Sequence, residues 1–409
     1  MDELKVTCDP AEVGLDADRL RRIDAHFAAY VDDGRLPGWL ALVSRRGQIA
    51  HLSTYGSRDL ASGAPVERDT LFRIYSMSKP ITSVAAMMLY EEGALELTDP
   101  VSRYIPAFAD ARVHERGPAA APVTRPALEP VRVWHLLTHT AGLVYGFQHT
   151  TVVDELYRKA GINRGMPRDL DLAGYADLVA GQPLLFEPGT RWNYSVATDI
   201  LGRVVEVASG QPFERFLAER IFEPLDMTDT GFFLDPADGD RLATLYNVAP
   251  GGGIAPLEMG DLAFRAPKAP SGGGGLISGA RDYHRFTQML LRGGELDGTR
   301  LLGPRTLAYM TRNHLPGGAD LDAFGTPVFS EVSYTGVGFG LGFAVVLDAA
   351  ESKGVASEGE FNWGGAASTT FWVDPAEEMT VIFLTQLMPS NAYPIRSRLR
   401  QLVHQAIID

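Results

Sequence analysis

Ser76 and Lys79 lie three residues apart in Arg73-Ile74-Tyr75-Ser76-Met77-Ser78-Lys79-Pro80, a spacing that puts both on one face of a helix. A serine hydroxyl is a poor nucleophile until a neighbour takes its proton. A lysine does this when burial or nearby positive charge lowers its pKa. The chemistry on offer is attack on a carbonyl carbon and formation of an acyl-enzyme. The chain holds five lysines in an arginine-rich background, and only Lys79 has a serine three residues before it. Arginine holds a surface charge equally well but does not deprotonate in a protein, so a lysine here points to proton transfer. The plain alternative is an N-cap serine followed by a solvated lysine.

The elements that must carry this pair are legible. Ile81, Val84, Ala85, Met88 and Leu89 form the buried face of a helix over residues 81–92. Pro80 is tolerated only in a first turn, so the helix begins just before it, and Gly93 ends it. Ser76 then sits at the helix N-terminus, where free N–H groups favour developing negative charge. Upstream, Asp16 caps an amphipathic helix over 16–34, with Leu20, Ile23, Phe27 and Val31 on one face and Gly34 as its stop. Residues 39–44 and 49–55 read as strands joined at Arg46-Gly47, and strand-like runs return at 339–347, 366–373 and 379–386 before a helix at 395–407. Between them lie helical stretches at 133–138, 197–208, 213–219 and 281–292, separated by Pro- and Gly-rich loops at 117–130 and 249–275. The economical fold is α+β, one antiparallel sheet built from both chain ends with a helical insertion. The expected division is a discontinuous sheet domain, 1–75 and 276–409, around a mostly helical domain, 76–275.

Composition excludes several classes. The 409 residues are 45% hydrophobic and 22% charged, an ordinary globular balance. A net charge of −14 argues against nucleic acid as the partner. No apolar run is long enough to cross a bilayer, so no membrane is expected. The lone Cys8 forms no intramolecular disulfide, and no Cys/His spacing suits zinc; neither metal nor cofactor is expected. With the charged start Met1-Asp2-Glu3, which lacks a following apolar segment, this predicts a cytoplasmic protein. The sequence is silent on oligomeric state.

Further motifs follow in order: Val133-Trp134-His135-Leu136-Leu137-Thr138-His139-Thr140-Ala141-Gly142, Trp192-Asn193-Tyr194-Ser195-Val196, Gly272-Gly273-Gly274-Gly275, and Asn362-Trp363-Gly364-Gly365-Ala366. With S-x-x-K, they resemble the class C β-lactamase-like and penicillin-binding proteins, and most closely the family VIII carboxylesterases, from about residue 12 to 405. The resemblance implies a β-lactamase-like serine hydrolase fold. It makes Ser76 the nucleophile and Lys79 and Tyr194 the pair that shares its proton. It places the oxyanion hole at the backbone N–H groups of Ser76 and Ala366, with Trp363, Gly364 and Gly365 lining the substrate. Tyr145 and Phe147 are expected to line the acyl or alcohol pocket. In this family the His139 stretch is structural, and the chain has no G-x-S-x-G elbow for a histidine-based triad. The glycine run 272–275 lacks the spacing of a phosphate-binding loop and reads as a tight or mobile turn near the site.

Two departures from the β-lactamase pattern shape the expected substrate. Val196 stands where Y-x-N has its asparagine, and Trp363-Gly364-Gly365 replaces K-T-G. An indole offers apolar surface and one donor in place of a cation that attracts a carboxylate. The expected activity is hydrolysis of small, short-chain, neutral esters. The rivals are weak β-lactam or D-amino peptide hydrolysis, acyl transfer as in the similar statin side-chain acyltransferases, and a non-enzymatic scaffold that forms no acyl-enzyme.

Overall fold

Residues 39–43, Trp-Leu-Ala-Leu-Val, are apolar without interruption, the pattern of a strand covered on both faces. They lie in β1 (Gly38–Arg45), every residue of which is buried. The structure, a computed structural model, describes residues 4–163, 166–325 and 334–409; Met1–Glu3 lie outside it. β1 pairs with β2 (Gln48–Asp59), which continues to the short edge strand β3 (Ala64–Pro65). The remaining strands come from the C-terminal part: β4 (Val337–Phe339), β5 (Ala344–Val346), β6 (Phe361–Gly364), β7 (Thr370–Asp374) and β8 (Met379–Thr385). They make one eight-stranded antiparallel sheet in the order β4-β5-β6-β7-β8-β1-β2-β3. The two chain ends meet at its centre, where Trp39 opposes Thr385 and Arg45 opposes Met379.

Alternation along β1 sorts its side chains between two layers. Trp39, Ala41 and Val43 face α1 (Ala17–Asp32) and the C-terminal helix, through Leu20, Ile23, Phe27, Leu399 and Val403. Leu40 and Leu42 join the larger core on the other side. That core takes in α2 (Ser78–Glu91), α3 (Val133–Leu137), α4 (Val152–Lys159), α5 (Leu172–Ala180), α6 (Ala197–Ser209) and α7 (Ala280–Leu291). Tyr283 of α7 meets Phe371 of β7 with ring centroids 5.1 Å apart. The C-terminal helix, α8 (Ile395–His404), is tied to the sheet by the Arg400–Glu360 ion pair, whose carboxylate is fully buried. Among the described residues no helix is long and apolar enough to cross a membrane.

Three expectations change in detail. The run 339–347 is a hairpin, β4 and β5, because Gly340 and Gly342 turn the chain between them; Gly342 has φ +95°. The strand expected from 366 begins at Thr370. The loop at 117–130 contains half of a hairpin that pairs Arg112–Arg116 with Val123–Pro126.

Candidate active site

α2 begins at Ser78, and Pro80 occupies its first turn, where a missing N–H costs nothing. Ser76 lies one step earlier, in the 3-10 turn Tyr75–Met77. Tyr75 holds φ +45°, a strained value for a side chain other than glycine, immediately before Ser76. Ser78 clamps this turn: its Oγ donates to the Tyr75 carbonyl at 2.6 Å and accepts the Leu276 N–H at 3.2 Å. Gly93, φ +71°, follows the end of the helix.

Lys79 is buried, with 1% exposure, and its Nζ makes three hydrogen bonds. Nζ donates to Ser76 Oγ at 3.2 Å, to the Tyr145 hydroxyl at 3.0 Å and to the Gly273 carbonyl at 2.6 Å. It also lies 4.5 Å from the ring centroid of Tyr194. The Tyr194 hydroxyl is held elsewhere, accepting the indole N–H of Trp363 at 3.3 Å. Among the described residues no hydrogen bond joins that hydroxyl to Ser76 or Lys79. Burial, with the charges of Tyr194, Asp199 and Tyr175, holds the Tyr145 phenol well above its ordinary pKa.

β6 brings the second half of the site. A Cβ on Gly365 would lie 2.4 Å from the carbonyl of Ile74, so only glycine lets the strand end approach the chain just before the serine. A Cβ on Gly364 would meet the Arg396 guanidinium at 2.5 Å. Among the described residues neither the Ser76 nor the Ala366 N–H meets a protein acceptor. Ser76, Tyr145, Phe147, Tyr194, Trp363, Gly364, Gly365 and Ala366 all line one cavity of about 1390 Å³. Eight of the nine residues anticipated from the sequence thus line one cleft, and Lys79 is hydrogen-bonded to two of them, Ser76 and Tyr145.

Comparison with known proteins agrees with this geometry. The Beta-lactamase family model matches residues 23–405. The chain belongs to the Beta-lactamase family. Its place within that family is with the family VIII esterases. Esterase EstB of Burkholderia gladioli is 33% identical over 396 residues, 92% of this chain and 93% of that protein. Lovastatin esterase of Penicillium rubens is 30% identical over 370 residues, 86% and 89% of the two chains. The solved structure of EstCE1, described as a hydrolase with promiscuous acyltransferase activity, superposes with a TM-score of 0.80 at 29% identity, covering 97% and 99%.

The position of the Y-x-N asparagine in the Beta-lactamase family is Val196, buried at the cavity wall and with no polar side-chain atom to offer. His139 is also buried and, among the described residues, makes no hydrogen bond to Ser76. Its Nδ1 lies 3.3 Å from Ser195 Oγ, and its ring packs 5.0 Å from that of Tyr194. Burial and the nearby Lys79 charge hold it well below the ordinary imidazole pKa. The glycine run is a tight turn: Gly272 accepts from Thr82 Oγ1 at 2.8 Å, and a Cβ there would lie 2.9 Å from the Thr198 carbonyl.

Two residues at the cleft have partners that the sequence does not announce. Tyr145 was expected as a lining residue and is also a partner of Lys79. Asp199 was not singled out. It is buried in the first turn of α6, and Oδ1 accepts the Ser271 hydroxyl at 2.6 Å and the Gly273 N–H at 2.9 Å. The available signal was a carboxylate among Ala197, Ile200 and Leu201, a face otherwise given over to core.

Proposed function

We propose that the chain is a serine carboxylesterase whose acyl-enzyme forms on Ser76 and whose substrates are neutral esters, short-chain ones among them. The observation that carries the proposal is Lys79 Nζ at 3.2 Å from Ser76 Oγ, a serine that lines one cleft with Trp363-Gly364-Gly365-Ala366. The esterase names of the similar proteins support it. In this reading Ser76 Oγ attacks the ester carbonyl carbon, and its proton passes to the Lys79–Tyr194 pair. The N–H groups of Ser76 and Ala366 hold the tetrahedral oxyanion. The carbon–oxygen bond to the alcohol breaks, and the alkoxide leaves with the proton the pair held. Water then attacks the acyl carbonyl and passes a proton to the same pair; the bond from Ser76 Oγ to the acyl carbon breaks, Ser76 takes that proton back, and the acid is released. The cleft lies where the sheet portion, 1–75 and 276–409, meets the mostly helical portion, 76–275. Trp363 and Val196 leave an anionic β-lactam without the cation and the amide that would hold it, so cephalosporin turnover is expected to be weak.

A second reading, acyl transfer, is favoured by the size of the cavity. About 1390 Å³ leaves room for an alcohol beside an acyl group on Ser76. Incubation with a fluorophosphonate and peptide mapping tests the first reading: the label is expected on Ser76 and absent from Ser76→Ala. Labelling that persists at another residue in Ser76→Ala removes the assignment. Partition of the acyl group between water and added alcohols separates hydrolysis from transfer, and a panel of esters of increasing chain length measures the pocket.

A further inference from the structure

Among the described residues Asp199 makes no hydrogen bond to Ser76 and has no part in the mechanism above, yet it is buried, 4% exposed, and lines the same cavity. Its Oδ1 takes two donors from the glycine turn, Ser271 Oγ–H and Gly273 N–H. The carbonyl of that same Gly273 accepts the shortest of the three Lys79 bonds, at 2.6 Å. The Gly273 backbone thus stands between a carboxylate and an ammonium, bonded to each. A Cβ on Gly273 would lie 2.7 Å from Asp199 Oδ2, so only glycine keeps this contact.

We infer that Asp199 is a positioning residue that acts through Gly273 and by its charge on Lys79, holding the lysine toward Ser76 and setting the pH at which the proton relay becomes available. This rests on the Ser76–Lys79–Tyr194 reading above. A carboxylate used only to fold the turn needs no lysine at its far side, and an amide would do that work. Charge is what distinguishes the two roles. Burial pushes the Asp199 carboxyl up from its ordinary value, and the Lys79 charge with the donors from Ser271 and Gly273 pulls it back. The titratable and charged groups facing Lys79 are Tyr145, Tyr194, His139 and Asp199; Asp199 in turn also faces Tyr145 and Tyr175. Asp199 is the one carboxylate in this set. A negative charge beside the relay favours its protonated form, so the acid limb of the kcat/KM profile lies at higher pH than it would without Asp199.

The test is the pH profile of kcat/KM on a neutral aryl ester for the wild type and for Asp199→Asn, with fluorophosphonate labelling of Ser76 in parallel. Asparagine keeps an oxygen for Ser271 and Gly273 and loses the charge. The acid limb is expected to move to lower pH by about one pH unit. Ser271→Ala, which keeps the carboxylate's charge and removes its shortest donor, is expected to move the limb the opposite way, to higher pH, by less. It stands in if the asparagine variant does not fold. Limbs that stay at the wild-type pH while the plateau falls overturn the proposal and leave the Ser76 reading intact. A wild type that is not labelled at Ser76 overturns that reading and this proposal with it.

Discussion

The indole N–H of Trp363 donates to the Tyr194 hydroxyl at 3.3 Å, so the residue in place of a β-lactamase lysine also orients the phenol of the site. The ring centroids are 5.3 Å apart. Trp363→Phe keeps most of the packing and removes the donor. Loss of one such bond is worth about 1 kcal/mol, so kcat is expected to fall about fivefold with KM near the wild-type value. Steady-state kinetics on an aryl ester checks this; a rise in KM with unchanged kcat would mean that Trp363 only lines the pocket.

Tyr145 and Phe147 stack with centroids 4.8 Å apart and line the same cavity, and the Tyr145 hydroxyl accepts a hydrogen bond from Lys79. Tyr145→Phe is therefore expected to lower kcat by about tenfold through loss of a hydrogen bond to a charged group. Phe147→Leu is expected to act chiefly on KM. The comparison needs one ester and both variants, and matching changes in the two would contradict it.

His135 is buried, and its Nδ1 accepts the N–H of Arg132 at 3.0 Å, which requires an unprotonated nitrogen. Burial, helped by the Arg132 charge, pushes its pKa down to about 4. Its folded value lies below the unfolded value of about 6.5, so its contribution to stability is complete above that pH. As the pH falls from about 6.5 toward 4 the unfolded chain takes the proton first, and that contribution is lost. His135→Asn keeps an acceptor and does not titrate. Thermal melts between pH 7 and 5 are expected to show a shallower fall in Tm for the variant than for the wild type; parallel curves would refute the assignment.

Much of the site was legible because its chemistry is local in sequence. Ser76 and Lys79 share one turn, and Pro80 dates the start of the helix that carries them. Trp363, Gly364 and Gly365 are consecutive, the first two ending one strand and the third following it. What stayed hidden depends on approach between distant segments. Tyr145 and Lys79 are 66 residues apart, and nothing in the local pattern of either announces the bond. Asp199 reads as an ordinary first-turn helix acid until Ser271 and Gly273 are brought against it. In the fold, long periodic segments such as α1 and β1 were clear. The run 339–347 was not, since its apolar residues continue through the turn at Gly340 and Gly342. The helices α4 and α5, nine residues or fewer, lie in loop-like sequence and owe their stability to tertiary packing of Tyr157, Tyr175 and Val179.

The pairing of β1 with β8 sets a schedule for synthesis. Trp39 emerges from the ribosome 346 residues before its partner Thr385. At 5–20 residues per second that interval is roughly 20–70 s. Throughout it, β1 has β2 along one edge and α1 on one face, but its other edge lacks β8 and the same face lacks the C-terminal helix. The intervening residues can settle their own helices first, but the sheet closes only when the last strand arrives. Such a high contact order makes folding slow and the nascent chain prone to aggregation. Expression yield should therefore respond to chaperone supply and to temperature during synthesis more than to the stability of the finished enzyme.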